Sequence, residues 1–334
     1  MKNMRYISRL LTGFIAVFFL VLNQGFSQEP IEGIPATEIQ RNGISGWQFL
    51  KINVDAKSAA MGNTMASIGR GDASSVFANP SAIVGVENMD LYSGTMSYVA
   101  DISYNALSFV KNLGSIGYVG FSVAALDMGD IPETINSPIG GRTEYLITGR
   151  NYSGGDLAAG LTFARQVSDK LSVGMNARYI QETIDDLSMS NFSFDFGTSF
   201  YTGYKSLRLG MTFKNLGGDV NLTGWDETLQ TEPVDIRMPV DFRVGLAMDF
   251  LPGENLNLSV EASHPNDAPE KVHIGTQYNF NNMLFIRGGY KMGYDEGDLS
   301  YGVGLNYSMF KASFSMVTMG RLGTVSLMSI GVNL

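Results

Sequence analysis

Few residues in this sequence have the types and spacing that chemistry requires. Its 334 residues include two histidines and no cysteine. His264 precedes Pro265 in a stretch that reads as a loop. His273 sits on the polar side of an alternating segment. Neither has a partner at metal-ligand spacing. No G-x-S-x-G nucleophile elbow occurs, and a Ser–His–Asp arrangement around His273 is a weak reading against a plain wall histidine. The run Asp295-Glu-Gly-Asp298 is acidic but lacks the ligand spacing of a dedicated calcium loop. Asn221-Leu-Thr223 matches a glycosylation sequon by chance. The residues therefore predict no enzyme, no cofactor and no metal. The net charge of −9, with no basic stripe to neutralise phosphates, argues against nucleic acid as a partner. Acidic surface loops account for the sign.

What the chain has instead is period-2 alternation, repeated many times. Leu171, Val173, Met175, Ala177 and Tyr179 point one way while Ser172, Gly174, Asn176 and Arg178 point the other. The same pattern runs through 207–214, 240–250, 256–261, 271–280 and 299–309. Many segments run nine to thirteen residues, long for soluble strands, which cluster near five or six, and suited to a tilted membrane span. About fourteen strands are predicted between residues 90 and 334, an even number as a closed bacterial barrel requires. With the first strand starting in the periplasm, the turns at 111–114, 168–169, 203–204, 251–254, 281–282 and 309–310 are all short. The opposite side collects long loops, 126–154 and 216–238, and medium ones near 183–189 and 293–298. Short turns inside and long loops outside is the outer-membrane pattern. The fold expected is all-β: a closed transmembrane antiparallel barrel with a short, partly helical N-terminal plug. The polar faces carry both charge signs (Asp156, Arg178, Asp195, Arg208, Asp241, Arg243, Asp249, Glu261, Lys271, Arg287 and Lys291). Support of the wall by cross-strand pairs is favoured over ion selectivity, since neither sign dominates.

The start of the chain reads as an export signal. Lys2, Arg5 and Arg9 precede an apolar core, Leu10 to Leu22, and Gly25 and Ser27 place cleavage after Ser27. That core is about thirteen residues, short of the roughly 20 of a helical span, so a cleaved signal is favoured over an anchor. Without cysteine, neither a lipoprotein anchor nor a disulfide is available. Residues 28–89 do not alternate. A polar stretch with Pro30 and Pro35 leads to Trp47-Gln-Phe-Leu-Lys-Ile52 and then to a run of small residues. Asp72 is expected to cap a short helix over Ala73–Ala78 that stops before Asn79-Pro80. Small residues allow close backbone approach, so the segment reads equally as a plug inside a barrel mouth or as a periplasmic lead-in.

The phrase running from Phe49 to Ile83 has the form FLKI…AAMG…DASS…NP. Phe49, Ala59, Ala60, Met61, Gly62, Asp72, Ala73, Asn79 and Pro80 carry it. It resembles the N-terminal signature of the PorV/PorQ family of Bacteroidetes outer-membrane proteins, and Leu126-Asp-Met-Gly-Asp-Ile131 resembles a second recurrent phrase of that family. The specific motifs cover only 49–83 and about 115–131. The Ser27-Gln28 boundary also looks like Bacteroidetes usage. The family is similar in fold to the FadL fatty-acid transporters, whose Asn-Pro-Ala phrase is Asn79-Pro80-Ser81 here. The resemblance implies a part in type IX secretion, as a docking or shuttle component for secreted cargo or as an accessory of the translocon and sortase complex. Tyr145, Tyr152 and Trp225, in the two long loops, are then the candidate contacts, although such aromatics equally suit a membrane-interface girdle. The alternative is a FadL-like channel or binding protein for a hydrophobic small molecule, lined by Trp47, Met61, Met65 and Phe77. Outer-membrane lipid is a partner in either case.

Overall fold

The computed structural model describes residues 45–64, 66–67, 71–139, 142–220, 235–251 and 253–334. The predicted signal, Met65 and Trp225 lie outside these residues. The alternating segments form fourteen antiparallel strands: β1 Met89–Ser97, β2 Ser103–Asn112, β3 Tyr118–Ile139, β4 Arg142–Gln166, β5 Leu171–Ile184, β6 Leu187–Tyr201, β7 Arg208–Leu216, β8 Asp241–Phe250, β9 Leu256–Pro265, β10 Lys271–Phe280, β11 Leu284–Met292, β12 Leu299–Tyr307, β13 Phe310–Thr318 and β14 Thr324–Asn333. Each pairs with its neighbours in sequence, and β14 pairs with β1 from Asp90↔Asn333 to Ser97↔Ser326. Closure leaves no edge among the strands.

Alternation decides which side chain faces where. Val173, Met175 and Tyr179 on β5, Phe192, Phe194, Phe196 and Phe200 on β6, and Leu299, Tyr301, Val303, Leu305 and Tyr307 on β12 stand exposed on the outer surface. The polar partners on the same strands are buried, among them Ser172, Asn176, Arg178, Ser193 and Asp195. This is inverted relative to a water-soluble sheet and is what a hydrocarbon surround requires.

Two of the expected connections differ. The segment 126–154, read as a loop from its prolines and glycines, is strand: β3 and β4 run 22 and 25 residues. The pairing of β3 with β2 ends at Ser103↔Asp127 and that of β4 with β5 at Gly154↔Ile184. Residues 128–139 and 142–153 therefore pair only with each other, a ribbon projecting roughly 40 Å at 3.3 Å per residue. A two-stranded ribbon tolerates Pro132 and Pro138 because neither edge belongs to a wider ladder, and its register slips between Asp127/Asp130 and Pro132/Thr134. The expected medium loop near 183–189 is a two-residue turn, Asp185-Asp186, between long strands. The short turns at the other end match their expected places within a few residues.

The described residues between 45 and 86 run inside the barrel. Trp47, Phe49, Leu50, Val76 and Ile83 are buried there. A short helix, α1 (Ala56–Ala60), is capped by Asp55, whose carboxylate accepts from the N–H groups of Lys57 and Ser58. Asp72 caps a 3-10 turn over Ala73–Phe77, and Asn79 caps a second over Pro80–Ile83. The expected cap and stop are thus in place, with the helix tightened to 3-10 geometry.

Because the ribbon pairs only with itself, replacing residues 129–152 by an Asn-Gly turn should leave the barrel folded. The measurement is heat-modifiable migration on a denaturing gel. A variant that no longer shifts on heating would show that the ribbon is needed for closure.

Candidate functional site: the lumen and its inner segment

The residues of the Phe49–Ile83 phrase hold the inner segment to the wall. Asn79 donates to Ala66 O (2.8 Å) and to Thr198 O (3.1 Å) of β6, while its own oxygen accepts from Ser81 N–H and Oγ. Pro80 lies against Gly174 of β5, and Met61 and Gly62 against Gly275 of β10 and Gly289 of β11. A Cβ at Gly174, Gly210, Gly275 or Gly289 would overlap the inner backbone, so these wall positions need glycine for space. Gly62, at φ 67, donates to Ser300 Oγ (3.0 Å), and its carbonyl accepts from His273 Nδ1 at 2.7 Å. His273 therefore pins the segment through its Nδ1–H. Ala59 and Ala60 are buried, and Ser300 reaches back to the Ala60 carbonyl. Ala73 donates to Asp90 Oδ1 (3.0 Å) and accepts from Ser108. Burial alone would raise the Asp72 carboxyl. The ammonium groups of Lys57 and Lys311 and the bonds from Ser74 outweigh it and hold the group at about 2.

Seven of the lumenal charges expected as wall support form a layer of ion pairs across β5 to β9, whereas Asp156, Lys271, Arg287 and Lys291 make none among the described residues. Arg178 meets Asp195 at 2.7 Å, Arg243 meets Asp241 at 2.6 Å and Glu261 at 3.3 Å, and Arg208 meets Asp249 at 2.7 Å. The same groups reach the inner segment. Glu261 accepts from Ala66 N–H (2.6 Å), Arg208 donates to Ser67 O (2.9 Å), Arg243 to Asn63 O (3.3 Å), and Lys214 to Phe77 O (2.7 Å). A bulge sits in this layer. The β6–β7 register slips between Phe194 and Phe196, Asn215 adopts φ 60, and Lys214 and Asn215 both turn inward. Alternation alone would send one of that pair outward, which is why the sequence did not reveal Asn215.

Toward the end opposite the short turns the lumen is largely apolar, with the carboxylates of Asp156 and Glu182 set into it. Met96, Tyr104, Leu126, Ile180, Met189 and Met238 surround Trp47, Phe49 and Leu50 of the inner segment, with Phe49 edge-on to Tyr104 at 6.4 Å. Between this zone and the charged layer a small cavity of about 30 Å³ remains, bounded by Leu50, Ile52, Phe77, Tyr104 and Ala158 on one side and by Arg178, Lys214 and Arg243 on the other. Of the residues proposed to line a hydrophobic pocket, Phe77 reaches this cavity. Trp47 is packed in the core, its backbone N–H bonded to Glu182 (3.1 Å) and its indole N–H without a partner among the described residues, and Met61 faces a separate polar cavity below. Tyr145 stands out on the projecting ribbon, 76% exposed, whereas Tyr152 is half-buried nearer its base.

Removing one partner of a buried charged group leaves the other uncompensated, at a cost of about 3–5 kcal/mol. Glu261→Ala leaves the buried Ala66 N–H without its acceptor and Arg243 with Asp241 and the Asn63 carbonyl alone, so it should lower the unfolding midpoint. Glu261→Gln, which keeps an acceptor for Ala66, should cost clearly less. Equal midpoints for both variants in thermal unfolding in detergent would show that Glu261 does not hold the segment.

No protein-family model and no curated protein match the chain. Solved structures do. The Pseudomonas putida toluene transporter TodX aligns at 14% identity over 84% of this chain and 98% of its own, with a TM-score of 0.61. The CymD monoaromatic hydrocarbon channel aligns at 14% over the same shares, with a TM-score of 0.60. A FadL homologue of Pseudomonas aeruginosa aligns at 12% over 84% and 98%, with a TM-score of 0.52. At these identities the likeness concerns architecture, and the fold of this chain is the closed fourteen-strand barrel of the FadL type.

Proposed function

We propose that this protein is a non-enzymatic outer-membrane barrel that admits a hydrophobic small molecule into the apolar end of its lumen. The observation that carries this reading is the apolar zone itself. A wall of Met96, Tyr104, Leu126, Ile180, Met189 and Met238 is unusual for a barrel whose lumen is otherwise charged, and among the described residues the Trp47–Ile52 stretch of the inner segment fills it. The three structures of similar fold include a toluene transporter and a monoaromatic hydrocarbon channel, which supports the same reading. The outward apolar surface suits outer-membrane lipid, and the chain would reach it through the predicted signal cleaved after Ser27. The cavity of about 30 Å³ exceeds the 10–15 Å³ needed for one water but does not hold a ligand. A hydrophobe therefore takes the place of Trp47–Ile52 side chains rather than filling a ready void.

A second reading keeps the part in type IX secretion that the Phe49–Ile83 phrase implies. The observation in its favour is the projecting ribbon, which exposes Ile135, Tyr145, Leu146 and Ile147. Such apolar exposure suits contact with the translocon, the sortase complex or cargo.

Trp47 reports on the first reading. In a Trp225→Phe background, a neutral naphthalene probe added to the detergent-solubilised protein should shift Trp47 emission to the red. Ala158→Leu, which fills the small cavity without adding an indole, should weaken that response about tenfold. An emission spectrum indifferent to the probe would sink the small-molecule reading. For the second, a deletion strain should accumulate secretion cargo in the periplasm. Normal secretion there removes it.

A further inference from the structure

Below the inner segment, at the short-turn end, the lumen holds another cavity, of about 240 Å³. That is space for several waters. Its lining is polar, and most of its charges are matched. Lys57 faces Asp72 at 3.5 Å, Arg208 faces Asp249 at 2.7 Å, and Lys311 faces Asp90 at 2.9 Å.

Arg287 is different. It is 6% exposed, and no carboxylate lies within ion-pair distance of it among the described residues. Two neutral acceptors orient its guanidinium: Nε donates to Gln277 Oε1 (2.7 Å) and Nη1 to Ser313 Oγ (3.1 Å). The Phe285 ring covers it, 5.3 Å from centroid to guanidinium carbon, and the missing side chain at Gly304 leaves it room. Nη2 has no partner among the described residues, and the side chain borders the cavity. Asp55 also borders the cavity, but its two oxygens accept from the N–H groups of Lys57 (3.3 Å) and Ser58 (3.1 Å). Burial also pushes its carboxyl up, which weakens it as a counterion.

A guanidinium removed from water without an anion is costly, and its planar fork fits carboxylate and phosphate oxygens. We propose that this cavity binds an oxyanion at Arg287, the carboxylate or phosphate group of a small free molecule or of an amphiphile's headgroup. The position within the lumen, on the far side of the charged layer from the apolar zone, makes the site independent of the small-molecule reading above.

The test uses full-length protein in an uncharged maltoside detergent and fluorine NMR titrations with two probes, trifluoroacetate and octanoate fluorinated at its terminal carbon. Saturable binding of trifluoroacetate that weakens at least about tenfold in Arg287→Gln identifies a site for a free small anion. Saturable binding of the octanoate alone, with the same dependence on Arg287, identifies a headgroup site. Arg287→Lys keeps the charge but loses the fork and should fall between. Variants are first checked for heat-modifiable migration, and the Trp47 response to the neutral probe should be unchanged in Arg287→Gln. The proposal is overturned if neither probe saturates, or if folded Arg287→Gln binds both as the parent does.

Discussion

A length of irregular backbone inside a barrel has to find a polar partner for each N–H and C=O that its own turns leave open, because neither bulk water nor a helical ladder is at hand. Most of what distinguishes this protein follows from that requirement. The inner segment makes only short turns, so it leaves many groups open, and the wall answers them with side chains. Glu261 takes the Ala66 N–H, Asp90 takes that of Ala73, and Ser300 takes that of Gly62. Arg208, Lys214 and Arg243 donate to the carbonyls of Ser67, Phe77 and Asn63. These bonds have meaning only if the wall comes close, and the lumenal glycines allow that approach. The small residues of the inner segment and the glycines of the wall are two halves of one contact.

The lumenal ion pairs then acquire a reason beyond stability. A buried pair returns little net free energy against apolar residues of equal volume, because desolvation offsets attraction. Here Arg243 and Glu261 each carry a second bond to a particular carbonyl or N–H of the inner segment. The pairing fixes where that segment lies along and around the lumen. Wall support and placement of the segment are the same interaction viewed from its two sides.

The barrel was legible in the sequence because its signal is repetition. Alternation recurs along the barrel, and the outward residues of β5 and β12 are those the pattern assigned. The ribbon was not legible, since Gly129, Pro132 and Pro138 speak locally for turns, and only the pairing of β3 with β4 makes them strand. The cap at Asp72 and the stop before Pro80 are local rules and could be read. Their neighbours could not. Nothing in the spacing says that Asn79 reaches Thr198, or that Asn215 turns inward, because a bulge breaks the very periodicity used to find the strand. Arg287 was visible as one of many inward charges. Its want of a carboxylate is a fact of three dimensions.

The inner segment is not held evenly. From Ala59 to Ser81 it is tied by buried bonds to β6 through β12, together with the glycine contacts. From Ser45 to Ile52 the ties are few. Ser45, Gln48 and Lys51 all depend on one carboxylate, Asp267, in the β9–β10 connection, the Trp47 backbone N–H depends on Glu182, and Gly46 donates to the Arg237 carbonyl. Burial would raise Asp267, but the bonds from Lys51, Ser45 and Gln48 hold it below the usual carboxylate range, so that tie is made at neutral pH. Local opening follows the weakest-held stretch of a structure. That stretch is the one filling the apolar zone, while the part below it is fastened to the charged layer. In the proposed function, the apolar end exchanges protein side chains for a hydrophobic guest while the bonds to the charged layer stay in place.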